Sequence, residues 1–360
     1  MKLLDRYIFR QFAFSFLFAS ITFAALFTLI DMVENLDGFF DRRVGAAGIA
    51  WYYLLSLPAT FQVTAPVSTL LASILTAGRL SAQSELAAIR SSGISLNQLM
   101  RPFLLGGVII AVVNICNASL FEPVAASAKI AYQREALNET RPGLHEGANI
   151  HILEPDKRVV TIGSFDPAGS RAMNVTIEDF DGPHLRSRTD GPVMIFDGRS
   201  KKWIMPKATI RTFGAAPGEV VFRSVRDTLD LALTAESLKE LNVLPEEMNL
   251  VQHYRYIREK MQAGFPNLER ARVKLHAKLA VPLASIVVIL IGVPLSAVRK
   301  RSGLAAEIAL ALFIGFLFLG MQRTVATMGY NAMIEPWVAA WLPLLLFLGA
   351  GLFLYRKAEK

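Results

Sequence analysis

The sequence has few charged residues and one cysteine. Asp, Glu, Lys and Arg make up 19% of its 360 residues, whereas soluble globular proteins carry about 25%. Apolar residues make up 53%, so the composition argues against a soluble cytosolic enzyme. Because Cys116 is the only cysteine, an intramolecular disulfide and a cysteine-based metal site are both excluded.

Sequence motifs that mark catalytic sites are absent as well. There is no GxxxxGK[ST] phosphate loop, no HExxH zinc helix and no GxSxG nucleophile elbow. The histidines are scattered without metal-ligand spacing, at His145, His151, His184, His253 and His276. We therefore expect no catalytic residues, no metal, no cofactor and no nucleic-acid partner. If the protein does energised work, the ATPase is a different chain.

Five long stretches contain no Asp, Glu, Lys or Arg: 11–30, 44–78, 102–121, 279–298 and 336–355. A helix of about 20 apolar residues crosses a bilayer core, so each stretch is long enough to span. A sixth candidate lies between Glu307 and Arg323, which sit at opposite ends of that segment. The sequence thus predicts an α-helical polytopic membrane protein with six transmembrane helices, at about 12–30, 52–77, 102–121, 279–298, 304–323 and 336–355.

Basic residues are distributed unevenly over the short segments between these helices. Lys and Arg bias in short loops sets membrane orientation, with the basic loops in the cytoplasm. The short outer loops then contain only Arg42 and Arg43, or Arg323 if it is counted there. We therefore expect both termini in the cytoplasm. The basic residues of the cytoplasmic segments are Lys2, Arg6, Arg10, Arg79, Arg90, Arg101, Arg299, Lys300, Arg301, Arg356, Lys357 and Lys360.

The segment 122–278 lacks an apolar run of spanning length and is predicted to lie outside the cytoplasm. Gly-Pro pairs such as Gly182-Pro183 and Gly191-Pro192 separate short β-rich runs, which is typical of a sandwich or jelly roll. We expect an inserted all-β, jelly-roll-like domain with flanking helices between the membrane parts 1–121 and 279–360. The predicted runs are 158–162, 175–180, 193–196, 202–205, 209–213, 219–225 and 228–233.

The loop between the second and third spans is predicted to form a short amphipathic helix at about 80–92. Leu86 and Ile89 share one face, and Gly93 can end the helix. Such a helix can dock in a partner's groove, with the Glu85 carboxylate meeting a basic side chain and Arg90 at the same surface. A solvated loop that only turns the chain is the alternative interpretation.

Two groups of basic residues fall near the outer membrane interface. Arg and Lys bind phosphates through charge-assisted hydrogen bonds, so the first group is a candidate rim for anionic lipids, although ordinary headgroup anchoring explains it equally well. It comprises Arg42, Arg43, Lys129, Arg134 and Arg323. The second group precedes span four, and its alternate spacing argues against a common helical face. It comprises Arg270, Arg272, Lys274, His276 and Lys278.

Several short motifs occur in a specific order along the chain. Residues 4–8 read Leu-Asp-Arg-Tyr-Ile, and Ser84-Glu85-Leu86 is followed by Ser92-Gly93. The fourth span contains Ile291-Gly292-Val293-Pro294-Leu295, and the sixth contains Trp341-Leu342-Pro343. Together with three spans, an external β domain and three more spans, these motifs resemble the LptF/LptG (YjgP/YjgQ) family of lipopolysaccharide export permeases. The opening motif and the length favour LptG.

The resemblance implies a permease subunit of an ABC-type exporter in the bacterial inner membrane. Such a subunit extracts lipopolysaccharide and passes it to a periplasmic bridge, powered by a separate cytoplasmic ATPase. The implied partners are an LptB-like ATPase dimer, a paralogous LptF-like permease and LptC/LptA-like periplasmic jelly-roll proteins. The resemblance also implies that Glu85 contacts the ATPase. LptG members can carry Lys at the outer end of span one, where this chain has Asp31, Glu34 and Asp37.

Two other function classes stay open on the residues alone. One is a membrane-anchored glycolipid-modifying enzyme with an external catalytic domain. It would need a convergent acid/base or metal cluster, for which the sequence offers only scattered candidates such as Glu178, Asp179 and Asp181. The other is a sensor subunit with an external β domain.

Overall fold

The computed structural model describes residues 3–137, 150–154, 158–166, 169–182, 184–198, 200–213, 220–231, 233–235, 238, 245–262, 268–297 and 304–359. The chain forms two compact units. The helical unit comprises Met1–Leu137, Glu246–Val251 and Glu269–Lys360, and the β unit comprises Asn138–Pro245 and Gln252–Leu268.

The described helices and strands are as follows. The helices are α1 (Leu3–Asp41), α2 (Ala46–Ala82), α3 (Glu85–Ser91), α4 (Leu96–Cys116), α5 (Glu122–Leu137), α6 (Leu250–Gln262), α7 (Glu269–Ala297), α8 (Leu304–Tyr330) and α9 (Pro336–Glu359). A π-helical turn, Asn117–Phe121, joins α4 to α5, and a 3₁₀ turn, Pro245–Glu247, precedes α6. The strands are β1 (Ile150–Glu154), β2 (Arg158–Asp166), β3 (Arg171–Asp181), β4 (His184–Asp197), β5 (Lys202–Phe213) and β6 (Val220–Leu229).

The described part of the chain contains six helices that are long and apolar enough to cross a membrane, which confirms the predicted polytopic fold. They are Leu3–Asp41, Ala46–Ala82, Leu96–Gln133, Glu269–Ser296, Ala305–Tyr330 and Pro336–Ala358. Several extend well beyond the predicted spans. In particular, α5 continues to Leu137 and α7 begins at Glu269, so polar helical turns flank the β unit on both sides.

Helix α7 is the most buried span of the helical unit, and it packs mainly against α2, α4 and α9. Small residues permit this close packing. Gly292 of α7 lies so near Ser73 of α2 that a Cβ atom would overlap the serine hydroxyl. Within a bilayer, where lipid tails are as apolar as leucine, such close contact between helices replaces the hydrophobic effect as the main source of association.

The β unit contains a six-stranded antiparallel sheet in the order β1 to β6, which confirms the predicted inserted β domain. Trp203 is fully buried in its core, and its Nε1 donates to the Leu233 carbonyl at 2.7 Å. The described strands follow one another as a meander. The crossed connections that define a jelly roll are not among them.

The strands are longer than the sequence predicted. Gly191-Pro192 lies inside β4, where Gly191 faces Met205 of β5 without room for a side chain. The runs 202–205 and 209–213 form one strand, because a register shift between Met205 and Ala208 absorbs the interruption at Pro206. The predicted breaks at these two places were therefore wrong, since a close strand approach and a bulge keep the sheet continuous.

Candidate functional site: a short helix between two spans

Helix α3 lies between two sharp turns. Ser84 precedes it in the left-handed conformation with φ of 60°, and Gly93 follows it with φ of 84°, which glycine adopts without steric cost. Ser95 and Gln98 then form a reciprocal capping box at the start of α4. A short helix that ends before Gly93 is present, but it begins at Glu85 and not at residue 80, because α2 continues to Ala82.

The apolar face of α3 points into its own chain. Leu86 is only 4% exposed and belongs to a core cluster with Ile8, Leu80 and Leu96. Ile89 packs against the same cluster. Leu86 is therefore covered by its own chain and Ile89 is half-buried, so both residues help to position α3. The contact of Leu86 and Ile89 with a partner's groove stays a prediction.

Two polar contacts tie α3 to the first and last helices. Tyr7 Oη of α1 donates to Glu85 Oε2 and Oε1 at 3.2 and 3.3 Å. Arg90 Nη2 donates to the Ala358 carbonyl of α9 at 3.3 Å. These contacts connect α3 to α1 and α9.

The remaining face of α3 is available to another protein. Its exposed residues are Ala87, Ala88, Arg90 and Ser91, followed by Ser92. Small side chains make this surface flat, and Arg90 supplies its positive charge. A partner that docks here would contact backbone and short side chains.

The predicted basic rim divides into two groups in the structure. Arg42 and Arg43 are exposed in the turn between α1 and α2. Next to this turn lies an aromatic cluster of Phe39, Tyr52 and Tyr53, and Lys129 Nζ lies 4.3 Å from the Tyr52 ring centroid. Three of the predicted residues therefore share one end of the helical unit.

The other two rim residues are Arg323 and Arg134. Arg323 is exposed on α8, and its charge acts on Lys274 of α7. Arg134 belongs to α5, but its side chain lies outside the described residues. The structure thus associates Arg323 with a second set of charges, which includes Lys274 and Lys278 of the second basic group.

This second set joins α2, α5, α7 and the 3₁₀ turn that precedes α6. Lys274 forms an ion pair with Glu246, and Lys278, which is 4% exposed, donates from Nζ to the Met248 carbonyl at 2.5 Å. The electrostatic influence of the Glu122 carboxylate reaches both lysines. Lys274 and Lys278 are four residues apart and therefore share a helical face, while the expectation that the whole basic run does not share one face stays a prediction.

Two further polar contacts were not predicted from the sequence. Gln62 of α2, with its amide nitrogen turned toward Glu122, donates to the two carboxylate oxygens at 2.6 and 3.0 Å. Glu307 at the start of α8 lies against Gly78, where any side chain would overlap its carboxylate. The sequence marked Glu307 only as the charged end of a span, and no local pattern indicates which residue either carboxylate meets.

Comparison with known proteins decides the family. A family model described as "Lipopolysaccharide export system permease LptF/LptG" matches residues 6–357. The chain belongs to the LptF/LptG family of lipopolysaccharide export permeases. Escherichia coli K12 LptG is 21% identical over 98% of this chain and 98% of its own length. LptF of the same strain is also 21% identical, over 90% of this chain and 86% of its own length.

Family membership establishes this permease as a multi-pass inner-membrane component of a lipopolysaccharide export complex. Members of the family are transporter components, so the glycolipid-modifying enzyme is not supported. No group of three or more His, Cys, Asp or Glu residues in the described ranges is placed to hold a metal ion. Because LptG and LptF match at equal identity, the assignment to LptG stays a prediction.

Proposed function

We propose that α3 of this permease transmits the work of a separate cytoplasmic ATPase dimer to the membrane spans, which then extract lipopolysaccharide. The contacts of Glu85 with Tyr7 and of Arg90 with Ala358 carry the proposal, because they connect one exposed helix to the first and last spans. The sequence has no nucleotide-binding motif of its own, so the motion must enter from another chain. Glu85 and Arg90 are the charged residues at this surface.

Orientation is part of the proposal. The basic short segments lie with α3 on the cytoplasmic side, and both termini are cytoplasmic. The domain 122–278 lies in the periplasm between the membrane parts 1–121 and 279–360. There it hands lipid to LptC/LptA-like jelly-roll partners, while a paralogous permease completes the transport path.

The lipid phosphates are bound at the opposite end of the helical unit. Arg42 and Arg43 are exposed beside the aromatic cluster, and Lys129 is held over Tyr52. Cations at a membrane interface form charge-assisted hydrogen bonds to phosphate oxygens. Arg134 and Arg323 are lesser candidates for phosphate binding. The charge of Arg323 also has an electrostatic influence on Lys274.

The exposed face of α3 provides a direct test. Replacing Ala88 by Arg adds bulk and charge to that face without touching the buried Leu86. The same replacement at Ala47 is the matched control, since Ala47 is also exposed on α2 but lies about 50 Å away along the helix.

We expect Ala88→Arg to abolish co-purification of the ATPase from membranes that contain the whole complex, with Ala47→Arg retaining it. Both variants should insert and reach wild-type levels. If Ala88→Arg retains the ATPase and exports lipopolysaccharide normally, α3 is not the docking surface.

A further inference from the structure

An apolar groove of about 180 Å³ lies on the membrane-spanning surface between α1 and α4. Phe9 and Phe16 line it from α1, and Ile109 and Val113 line it from α4, with Phe61 of α2 at its back. Almost all of its lining surface is carbon. Ile109 and Val113 are about half exposed, so the groove opens sideways at the outer surface of the helical unit.

Gly106 shapes the base of this groove. The Phe12 ring approaches Gly106 so closely that a Cβ would overlap it, and Phe12 stacks edge-on against Phe103 with centroids 5.6 Å apart. The two helices are thus in contact at the base of the groove, where both Phe12 and Gly106 line it. From Phe9 to Phe16, seven residues of helix extend the groove over about 10 Å.

The end of the groove near Phe9 is positively charged. Arg6 and Arg10 of α1 and Arg101 of α4 are all exposed at this level of the helical unit. The Arg10 guanidinium lies 5.7 Å from the ring centroid of Phe14, one helical turn farther along α1. Anionic lipid headgroups are attracted to such clusters.

We propose that this groove holds one acyl chain of an anionic phospholipid from the cytoplasmic leaflet, with its headgroup phosphate near Arg6, Arg10 and Arg101. The assignment of the leaflet rests on the orientation given under the proposed function. The bound lipid is a structural component of the permease and is separate from the lipopolysaccharide that it exports.

Size and polarity select this occupant. Apolar cavities of about 150 Å³ exclude water and take up benzene-sized molecules, so this groove accommodates a short stretch of acyl chain. A transmembrane helix, about 10 Å across, is too wide to enter. An unfilled gap would leave its lining side chains without contacts on one side, and lipid tails surround this surface.

The charge at the Phe9 end selects the leaflet and the headgroup. Lipopolysaccharide presents its phosphates at the outer surface of the inner membrane, whereas the basic end of this groove lies at the cytoplasmic surface. An anionic phospholipid of the inner leaflet satisfies the apolar groove and the arginines together.

Photocrosslinking in nanodiscs tests the proposal. The full permease complex is reconstituted in phosphatidylethanolamine with a fraction of phosphatidylglycerol whose acyl chain carries a diazirine. Crosslinked peptides are then mapped by mass spectrometry. The exposed face of α8 formed by Phe313, Phe316 and Leu317 provides the reference for ordinary lipid contact.

Val113→Trp fills the groove from α4, and Val112→Trp places the same side chain on the neighbouring, equally exposed position outside it. We expect wild type and Val112→Trp to crosslink at peptides 9–16 and 106–113 well above the α8 reference. Val113→Trp should reduce groove crosslinking to that reference. Equal crosslinking in the two variants, or a wild-type signal no higher than the reference, overturns the proposal.

Two further experiments identify which lipid supplies the acyl chain. Arg6→Gln and Arg10→Gln should each lower the preference for phosphatidylglycerol over phosphatidylcholine about fivefold, the factor that corresponds to about 1 kcal/mol per basic residue at a membrane surface. Lipopolysaccharide carrying the same photoprobe should leave the groove peptides unlabelled. Labelling by lipopolysaccharide, or crosslinks to the partner permease in place of lipid, contradicts the assignment.

Groove occupancy is measured without ATP and without transport. A failure of Ala88→Arg to release the ATPase would therefore leave this result intact. Conversely, an empty groove would not affect the role of α3.

Discussion

Tyr7 and Glu85 are 78 positions apart in the sequence, and the Tyr7 hydroxyl donates to both carboxylate oxygens of Glu85. This contact brings the first turns of α1 to the start of α3. Glu85 therefore has a hydrogen-bond partner inside its own chain. A docking ATPase that attracts or displaces the Glu85 carboxylate would at the same time act on α1.

The first prediction concerns the charge of Glu85. Glu85→Lys should insert and fold normally, because exposed polar pairs contribute less than about 1 kcal/mol to stability. It should nevertheless lose the ATPase or uncouple it from export, since a like-charge contact with a basic partner residue costs on the order of several kcal/mol. Co-purification and lipopolysaccharide export in cells measure the two outcomes.

Tyr7→Phe separates the internal contact from the partner contact. It removes the hydroxyl and retains the Glu85 charge, so we expect the ATPase to bind while its stimulation by lipopolysaccharide falls. For the first prediction, wild-type ATPase binding and export by Glu85→Lys would show that Glu85 is an ordinary surface residue.

The second prediction concerns the packing of Leu86 inside its own chain. Leu86→Ala should destabilise the helical unit by about 2–5 kcal/mol, because it leaves a cavity in the cluster with Ile8 and Leu80. Ala87→Ser, on the exposed face of the same helix, should change stability little. Thermal unfolding in detergent, followed by tryptophan fluorescence, provides the measurement. A stable Leu86→Ala variant that fails to bind the ATPase would support the interpretation that Leu86 enters a partner's groove.

The third prediction concerns the buried charges around Lys278. Glu122→Gln removes a negative charge whose electrostatic influence reaches Lys274 and Lys278, so we expect the free energy of unfolding to fall. Combining it with Lys278→Met should recover part of that loss, because the unpaired charge is removed as well. The coupling energy from the double-mutant cycle is the readout. Strictly additive effects would mean that Glu122 and Lys278 do not interact.

The fourth prediction concerns the basic residues of the lipid interface. Replacing Arg42 and Arg43 together by Glu should weaken lipopolysaccharide crosslinking about tenfold or more, since a charge-assisted hydrogen bond contributes about 1.5–3 kcal/mol. Replacing both by Lys keeps the charge and serves as the control, which should retain most of the crosslinking. Unchanged crosslinking in the Glu variant would indicate that these residues only anchor the chain to headgroups. Lys129→Glu is expected to behave as the Arg42 and Arg43 pair does.

The fifth prediction concerns orientation. In a Cys116→Ala background, a cysteine at Ser170 should react with a membrane-impermeant thiol reagent added outside intact cells that have a permeabilised outer membrane. A cysteine at Ser91 should react only after the inner membrane is opened. The reverse pattern would invert the topology and, with it, the assignment of α3 to the ATPase side.

Local patterns in the sequence determined the six spans, the inserted β domain, and α3 with its end at Gly93. Hydropathy over about 20 residues, alternation in strands and a glycine after a short amphipathic run all act within neighbouring residues. The same local reasoning misplaced the strand breaks. Gly191 and Pro206 interrupt the alternating β pattern in the sequence. In the structure the strands continue through both residues, because the neighbouring strand accommodates them.

Tertiary structure decided which way the side chains of α3 point and which charges meet. The amphipathicity of α3 indicated one apolar face, but only the packing of α1, α2 and α4 shows that Leu86 and Ile89 cover the chain's own core. The contacts of Tyr7 with Glu85 and of Lys274 with Glu246 join segments that are distant in sequence. No periodicity encodes such pairs, because the distance between two helices depends on every side chain packed between them. The groove beside Gly106 arises for the same reason.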